Sequence, residues 1–99
     1  MKGQFNIDLK KIRAQIDRVD EQIVALFCER MELSAAVAAA KRVERLPVED
    51  ETREQEILAR VDGLAGEELA IYARALFSTL FKLSKSYQAR LNVAEKPEL

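Results

Sequence analysis

The strongest constraint on how this chain folds lies between Phe5 and Lys41. Steps of four and three residues from Phe5 land on Leu9, Ile12, Ile16, Val19, Ile23, Leu26, Arg30, Leu33, Val37 and Ala40. An apolar repeat every ~3.5 residues, sustained this far, is the seam of a helix packed along its length against other helices. Asp8 is the expected N-cap, with Ile7 and Ile12 as the two halves of a hydrophobic staple. No Gly or Pro follows until Pro47, and the residue before a proline avoids helical geometry. The spacing therefore predicts a helix from about residue 9 to about residue 43, ~52 Å at the standard rise. A folded 99-residue chain has a radius of gyration of only ~13 Å. A seam of that length needs a cover that the rest of one chain does not supply, and the simplest cover is a second copy of the same helix.

Two further helices are expected. Asp50 is placed to cap a short one over about 51–62, with Glu51 and Glu54 near its positive end. Its inner stripe reads Glu54, Leu58 and Val61, with Ile57 alongside. The stretch from Gly63 to Gly66 reads as a break. A third helix is predicted from about Glu67 to Asn92, with Leu69, Tyr72, Leu76, Leu80, Leu83, Tyr87 and Leu91 on one row. Beside it runs the row Ala73, Phe77, Phe81, Ser84 and Gln88. Residues 93–99 carry no pattern and are expected to be a frayed tail or a linker. The expected fold is an all-α single domain over 1–99 with three helices per chain, one very long, one short and one long.

Composition narrows the chemistry. A formal charge of −1 gives no basic field for nucleic acid. No apolar run reaches membrane-spanning length, and Met1 to Asp8 lacks a signal-peptide core, so no membrane association and a cytoplasmic location are expected. Cys28 is the single cysteine, so it forms no internal disulfide, and it reads as packing beside the seam. The chain has no histidine, which removes His-based triads and most zinc sites; no metal site is expected.

Polar side chains occupy apolar faces on every helix. Arg30 stands inside the seam where a leucine fits the repeat, and an unpaired buried guanidinium costs several kcal/mol. Lys41 follows eleven residues later, ~20° around the helix and ~16 Å along it, so the two bases share a face. Glu54 on the second helix and Ser84 and Gln88 on the third complete the set. One reading is a buried network that fixes register, as polar seam residues do in coiled coils. The other is a pocket for an organic acid, because Glu54 alone does not neutralise both Arg30 and Lys41. Arg13 lies about 100° around the helix from Arg30. It reads either as a solvated flank charge or as a residue reaching a partner's pocket.

The run IRAQIDRVDEQIVALFCERMELSAAVAAAK, then PVEDETREQEIL and LFKLSKSYQ, resembles the all-helical class of chorismate mutase over about residues 9–91. The arginine, arginine, lysine spacing, the D-x-x-R-E block and the S-x-x-x-Q pair all occur in order. The resemblance implies an intertwined homodimer with two active sites, each completed by an arginine of the other chain, to which Arg13 corresponds. Arg30, Lys41, Asp50, Arg53, Glu54, Ser84 and Gln88 correspond to the other substrate-binding positions, with Lys41, Gln88, Arg30 and Glu54 as the catalytic group. It implies the Claisen rearrangement of chorismate to prephenate, in phenylalanine and tyrosine biosynthesis, with no cofactor. Both a free-standing enzyme and the mutase domain of a bifunctional chorismate mutase–prephenate dehydratase fit the pattern. An isochorismate-pyruvate lyase on the same scaffold shares the two arginines, the lysine and the glutamine but lacks the intact D-x-x-R-E block. A non-catalytic dimerisation or regulatory module would be expected to have lost one of the bases or Gln88, and all are present.

Overall fold

The structure, a computed structural model of the single chain, describes residues 8–95, with side chains to residue 92. Three helices follow one another: α1 (Leu9–Glu44), α2 (Glu51–Ala65) and α3 (Ala70–Glu95). No strand occurs among the described residues, and none of the helices is long and apolar enough to cross a membrane. The chain divides into two units, Met1–Glu32 and Leu33–Leu99.

The helix ends follow from local chemistry. Asp8 caps α1: its carboxylate accepts the Lys11 N–H at 3.3 Å and its carbonyl accepts that of Ile12 at 3.0 Å. Ile7 of the expected staple and Phe5 at the head of the seam lie outside the described residues. α1 closes with Arg45 in the left-handed region, φ 58°. There the Arg45 N–H bonds the Arg42 carbonyl and the Leu46 N–H bonds that of Lys41, the paired pattern of a Schellman cap. Pro47 then keeps the helix from resuming.

The break between the second and third helices is narrower than its two glycines suggest. α2 runs through Gly63 and stops at Gly66, where φ is 82° and the N–H returns to the Asp62 carbonyl. Glycine inside a helix costs only ~1 kcal/mol, which the packing of Val61 and its neighbours absorbs, whereas the Gly66 backbone suits glycine almost alone. Glu67–Leu69 form a turn, so α3 begins at Ala70 and continues to Glu95, three residues beyond Asn92.

In the first unit α1 presents Leu9, Ile16, Val19, Ile23 and Leu26, each more than half exposed in the single chain, while Ile12 and Phe27 are half-buried. In the second unit the core is small. Ile57, Leu58 and Val61 of α2 pack on Phe81 of α3, with Ala73 and Phe77 at its border. Phe77 and Phe81 meet edge to face, ring centroids 6.5 Å apart. The α3 row expected as a flank, Ala73 to Gln88, is thus the inner one. Leu69, Tyr72, Leu76 and Leu83 of the longer apolar row stay exposed. α1 divides in the same way: Leu33 and Val37 of the seam face outward, and the neighbouring stripe Ser34, Ala38 and Lys41 turns inward.

Candidate active site

Within the second unit, the end of α1 and the row Ser84–Gln88 of α3 meet through polar groups. Ser34 is buried on α1, and its hydroxyl donates to the Ser84 hydroxyl at 3.1 Å. One helical turn past Ser84, the Gln88 amide nitrogen donates to the Ser34 carbonyl at 3.1 Å. Ser84 and Gln88 are only 7% and 6% exposed, although a row ending in Phe77 and Phe81 calls for apolar residues there. The amide oxygen of Gln88 is buried with no hydrogen-bond partner. Orphaned acceptors of this kind cost ~1–3 kcal/mol and are few in folded proteins.

Lys41 extends the inward stripe of α1 by two turns from Ser34. Its half-buried ammonium donates to the Val48 carbonyl at 2.9 Å, fastening the end of α1 to the connection before α2. That connection ends at Asp50, whose carboxylate caps α2 by accepting the Arg53 N–H at 3.0 Å. The Arg53 guanidinium is exposed and lies 3.5 Å from Glu56 on its own helix. Glu54, in the first turn of α2, lies 3.2 Å from the Lys85 ammonium of α3. Lys85 also reaches both oxygens of Glu49 at 3.1 Å. Glu49 and then Glu54 hold Lys85 protonated to a pH above its ordinary 10.5, against a smaller opposing effect of burial.

Of the eight expected site residues, six belong to the second unit. Ser84 and Gln88 join directly through Ser34; Asp50 and Arg53 meet at the start of α2; Lys41 is tied to Val48, and Glu54 to Lys85. Arg13 and Arg30 belong to the first unit, Arg13 exposed and Arg30 half-buried. No group of three or more potential metal ligands occurs among the described residues.

Two participants were not singled out by pattern. Ser34 is a small residue in a helix, but it sits one turn after Arg30 and two turns before Lys41 on the stripe leading to both, and that spacing is a usable signal. Lys85 follows Ser84 directly and so points about 100° away, which makes it read as a solvated charge; only the fold brings Glu49 and Glu54 to it.

A family model described as chorismate mutase type II matches residues 12–89. The bifunctional chorismate mutase/prephenate dehydratase of Escherichia coli K12 is 35% identical over 85 residues, 84% of this chain and 22% of that protein. The chorismate mutase of Methanocaldococcus jannaschii is 37% identical over 59 residues, 60% of each chain. The chain thus spans less than two thirds of either relative. Among solved structures, a conserved hypothetical protein from Pyrococcus furiosus superposes with a TM-score of 0.69 at 33% identity, covering 85% of this chain and 99% of that one.

Proposed function

We propose that this chain, which belongs to the chorismate mutase type II family, rearranges chorismate to prephenate in the cytoplasmic synthesis of phenylalanine and tyrosine. The observation that carries the reading is the buried pair Ser84 and Gln88, polar on a core-facing row and joined to α1 through Ser34. A Claisen rearrangement breaks one C–O bond and forms one C–C bond in a single concerted step. It requires no nucleophile and no proton transfer, so a protein accelerates it by geometry and by charge placed where charge develops.

The roles follow from the chemistry of each group. Arg30, with Arg53 and Ser84, binds the substrate carboxylates and selects the compact conformer in which the reacting carbons approach. The partner's Arg13 completes this clamp. Lys41 and Gln88 donate to the ether oxygen, which gains negative charge as its bond to carbon lengthens. Gln88 has a second N–H beyond the one on Ser34, and the Lys41 ammonium has two beyond the one on Val48. Glu54 accepts a hydrogen bond from the ring hydroxyl, and the backbone near Asp50 helps to hold that group. Donors held in place before the reaction gain most at the transition state, and that difference is the source of rate.

The same reading includes an intertwined homodimer. The exposed seam of α1 and the outer row of α3 are large apolar surfaces of a chain in which only five hydrophobic residues are buried among the described ones, and a second copy covers both. Purified protein given chorismate tests the activity: loss of the substrate's ultraviolet absorbance, followed by acid conversion of the product to phenylpyruvate, is expected. Absence of turnover refutes the reading. Release of pyruvate from isochorismate in its place assigns the chain to the lyase chemistry.

A further inference from the structure

We propose that Lys85 is a positioning residue, which holds the Glu54 carboxylate for the ring hydroxyl of the substrate and offsets its negative charge. The inference rests on the mutase reading above and adds to it a residue outside the arginine, lysine and glutamine set.

The geometry accounts for every donor of the ammonium. A lysine has three N–H groups, and Lys85 has three acceptors within reach: both oxygens of Glu49 at 3.1 Å and one oxygen of Glu54 at 3.2 Å. The two carboxylates are not equivalent. The Glu49 side chain is 56% exposed and water solvates it well, whereas that of Glu54 is 24% exposed and depends more on a counter-charge. Glu49 serves as the outer anchor of the ammonium and Glu54 as the group held. Only one oxygen of Glu54 is taken by Lys85, so the other is able to accept a hydroxyl proton. Lys85 adjoins Ser84 on α3, so one helix delivers Ser84, Gln88 and the fixing charge together.

The need for that charge comes from the substrate. Chorismate carries two carboxylates, and a further unpaired carboxylate facing its ring opposes binding. With Lys85 removed, Glu54 is repelled both by Glu49 and by the substrate, and it turns toward solvent. The ring hydroxyl and the carboxylates are present in ground state and transition state alike. The loss therefore falls on binding, as a raised KM, more than on kcat.

The experiment is a double-mutant cycle with chorismate as substrate. Lys85→Met is expected to raise KM about tenfold and to leave kcat within about threefold. Glu54→Gln removes the charge that Lys85 offsets while keeping an acceptor for the hydroxyl. In a Glu54→Gln background, Lys85→Met is expected to change KM by less than about twofold. Two results overturn the proposal: an unchanged KM in Lys85→Met, or a double mutant whose KM rises by the product of the single effects, which places Lys85 outside any action through Glu54. If circular dichroism finds Lys85→Met unfolded, Lys85→Gln, which keeps donors without the charge, is judged by the same criteria. Wild-type protein that does not turn over chorismate refutes the mutase reading itself, a result separate from either.

Discussion

Replacing Gln88 by glutamate interrogates the site through two readouts at once. In the native chain the amide donates to the Ser34 carbonyl at 3.1 Å from a position 6% exposed. An amide does not titrate, so the donor is there at any ordinary pH. A carboxyl in its place donates only while protonated; once ionised, it faces the carbonyl oxygen with no proton between them and little access to water. Burial therefore raises its pKa above the unperturbed ~4.3. Each pH unit of that rise removes ~1.36 kcal/mol of stability once the unfolded chain is ionised. The sign follows from linkage. Below pH ~4.3 both states are protonated and there is no penalty; above it only the unfolded chain ionises, so stability falls by ~1.36 kcal/mol per pH unit until the folded group ionises too. Turnover runs in parallel, because the ionised group sets negative charge against an ether oxygen that is itself becoming negative. A loss of ~10²–10³ is expected at pH 7.5, comparable to deleting one oxyanion donor; part of it is regained toward pH 5, where the repulsion is gone but one carboxyl proton is shared between the Ser34 carbonyl and the ether oxygen. Chorismate assays and urea melts over the same pH range give both curves. A flat rate profile in Gln88→Glu refutes donation by Gln88 to the breaking bond, and a flat stability profile refutes the role given to its contact with Ser34.

Light scattering at micromolar concentration is expected to give about 22 kDa, twice the 11.2 kDa of one chain, and a folded, active monomer refutes the homodimer. Arg13→Ala and Arg30→Ala proteins are each expected to be nearly inactive. Mixed and allowed to exchange, they should recover up to about a quarter to a half of wild-type activity, since a heterodimer holds one intact site; no recovery despite demonstrated exchange means that Arg13 does not cross to the partner. The two glycines at the end of α2 should respond with opposite signs in thermal melts. Gly63→Ala stabilises by roughly 0.5–1 kcal/mol, because an added Cβ meets nothing within 4 Å in a helical position. Gly66→Ala destabilises by about 1–3 kcal/mol, because φ 82° and ψ 165° lie where side chains are strained.

Much of this architecture is legible in the residues. The cap at Asp8, the end of α1 before Pro47 and the cap at Asp50 follow from short-range chemistry and stand where that chemistry puts them. Ser84 and Gln88 are visible because they interrupt a row of aromatic residues. Three features are not legible, each for a physical reason. Gly63 resembles a helix breaker, but its propensity cost is smaller than the burial of Ile57, Leu58 and Val61 around it. The inward stripe of α1 is Ser34, Ala38 and Lys41, too small and polar to compete in a periodicity search with the larger Leu33 and Val37 beside it. Lys85 looks like solvated charge because its partners lie 31 and 36 residues away in sequence, and only helix packing brings them together. Arg13 is the opposite case: nothing within its own helix distinguishes it from the surrounding charges, and its assignment comes through the family resemblance.

The strap from the Lys41 ammonium to the Val48 carbonyl has a thermal consequence. An immobilised lysine gives up ~1.5–2 kcal/mol of rotamer entropy. Here that cost falls on folding, so an anion arriving at Lys41 meets a side chain already ordered. The carbonyl that holds it is neutral, so the ammonium keeps its full charge for the newcomer. Calorimetry of anion binding at this end of the chain should therefore record little conformational entropy lost by Lys41, and a heat set by electrostatics and by the release of water.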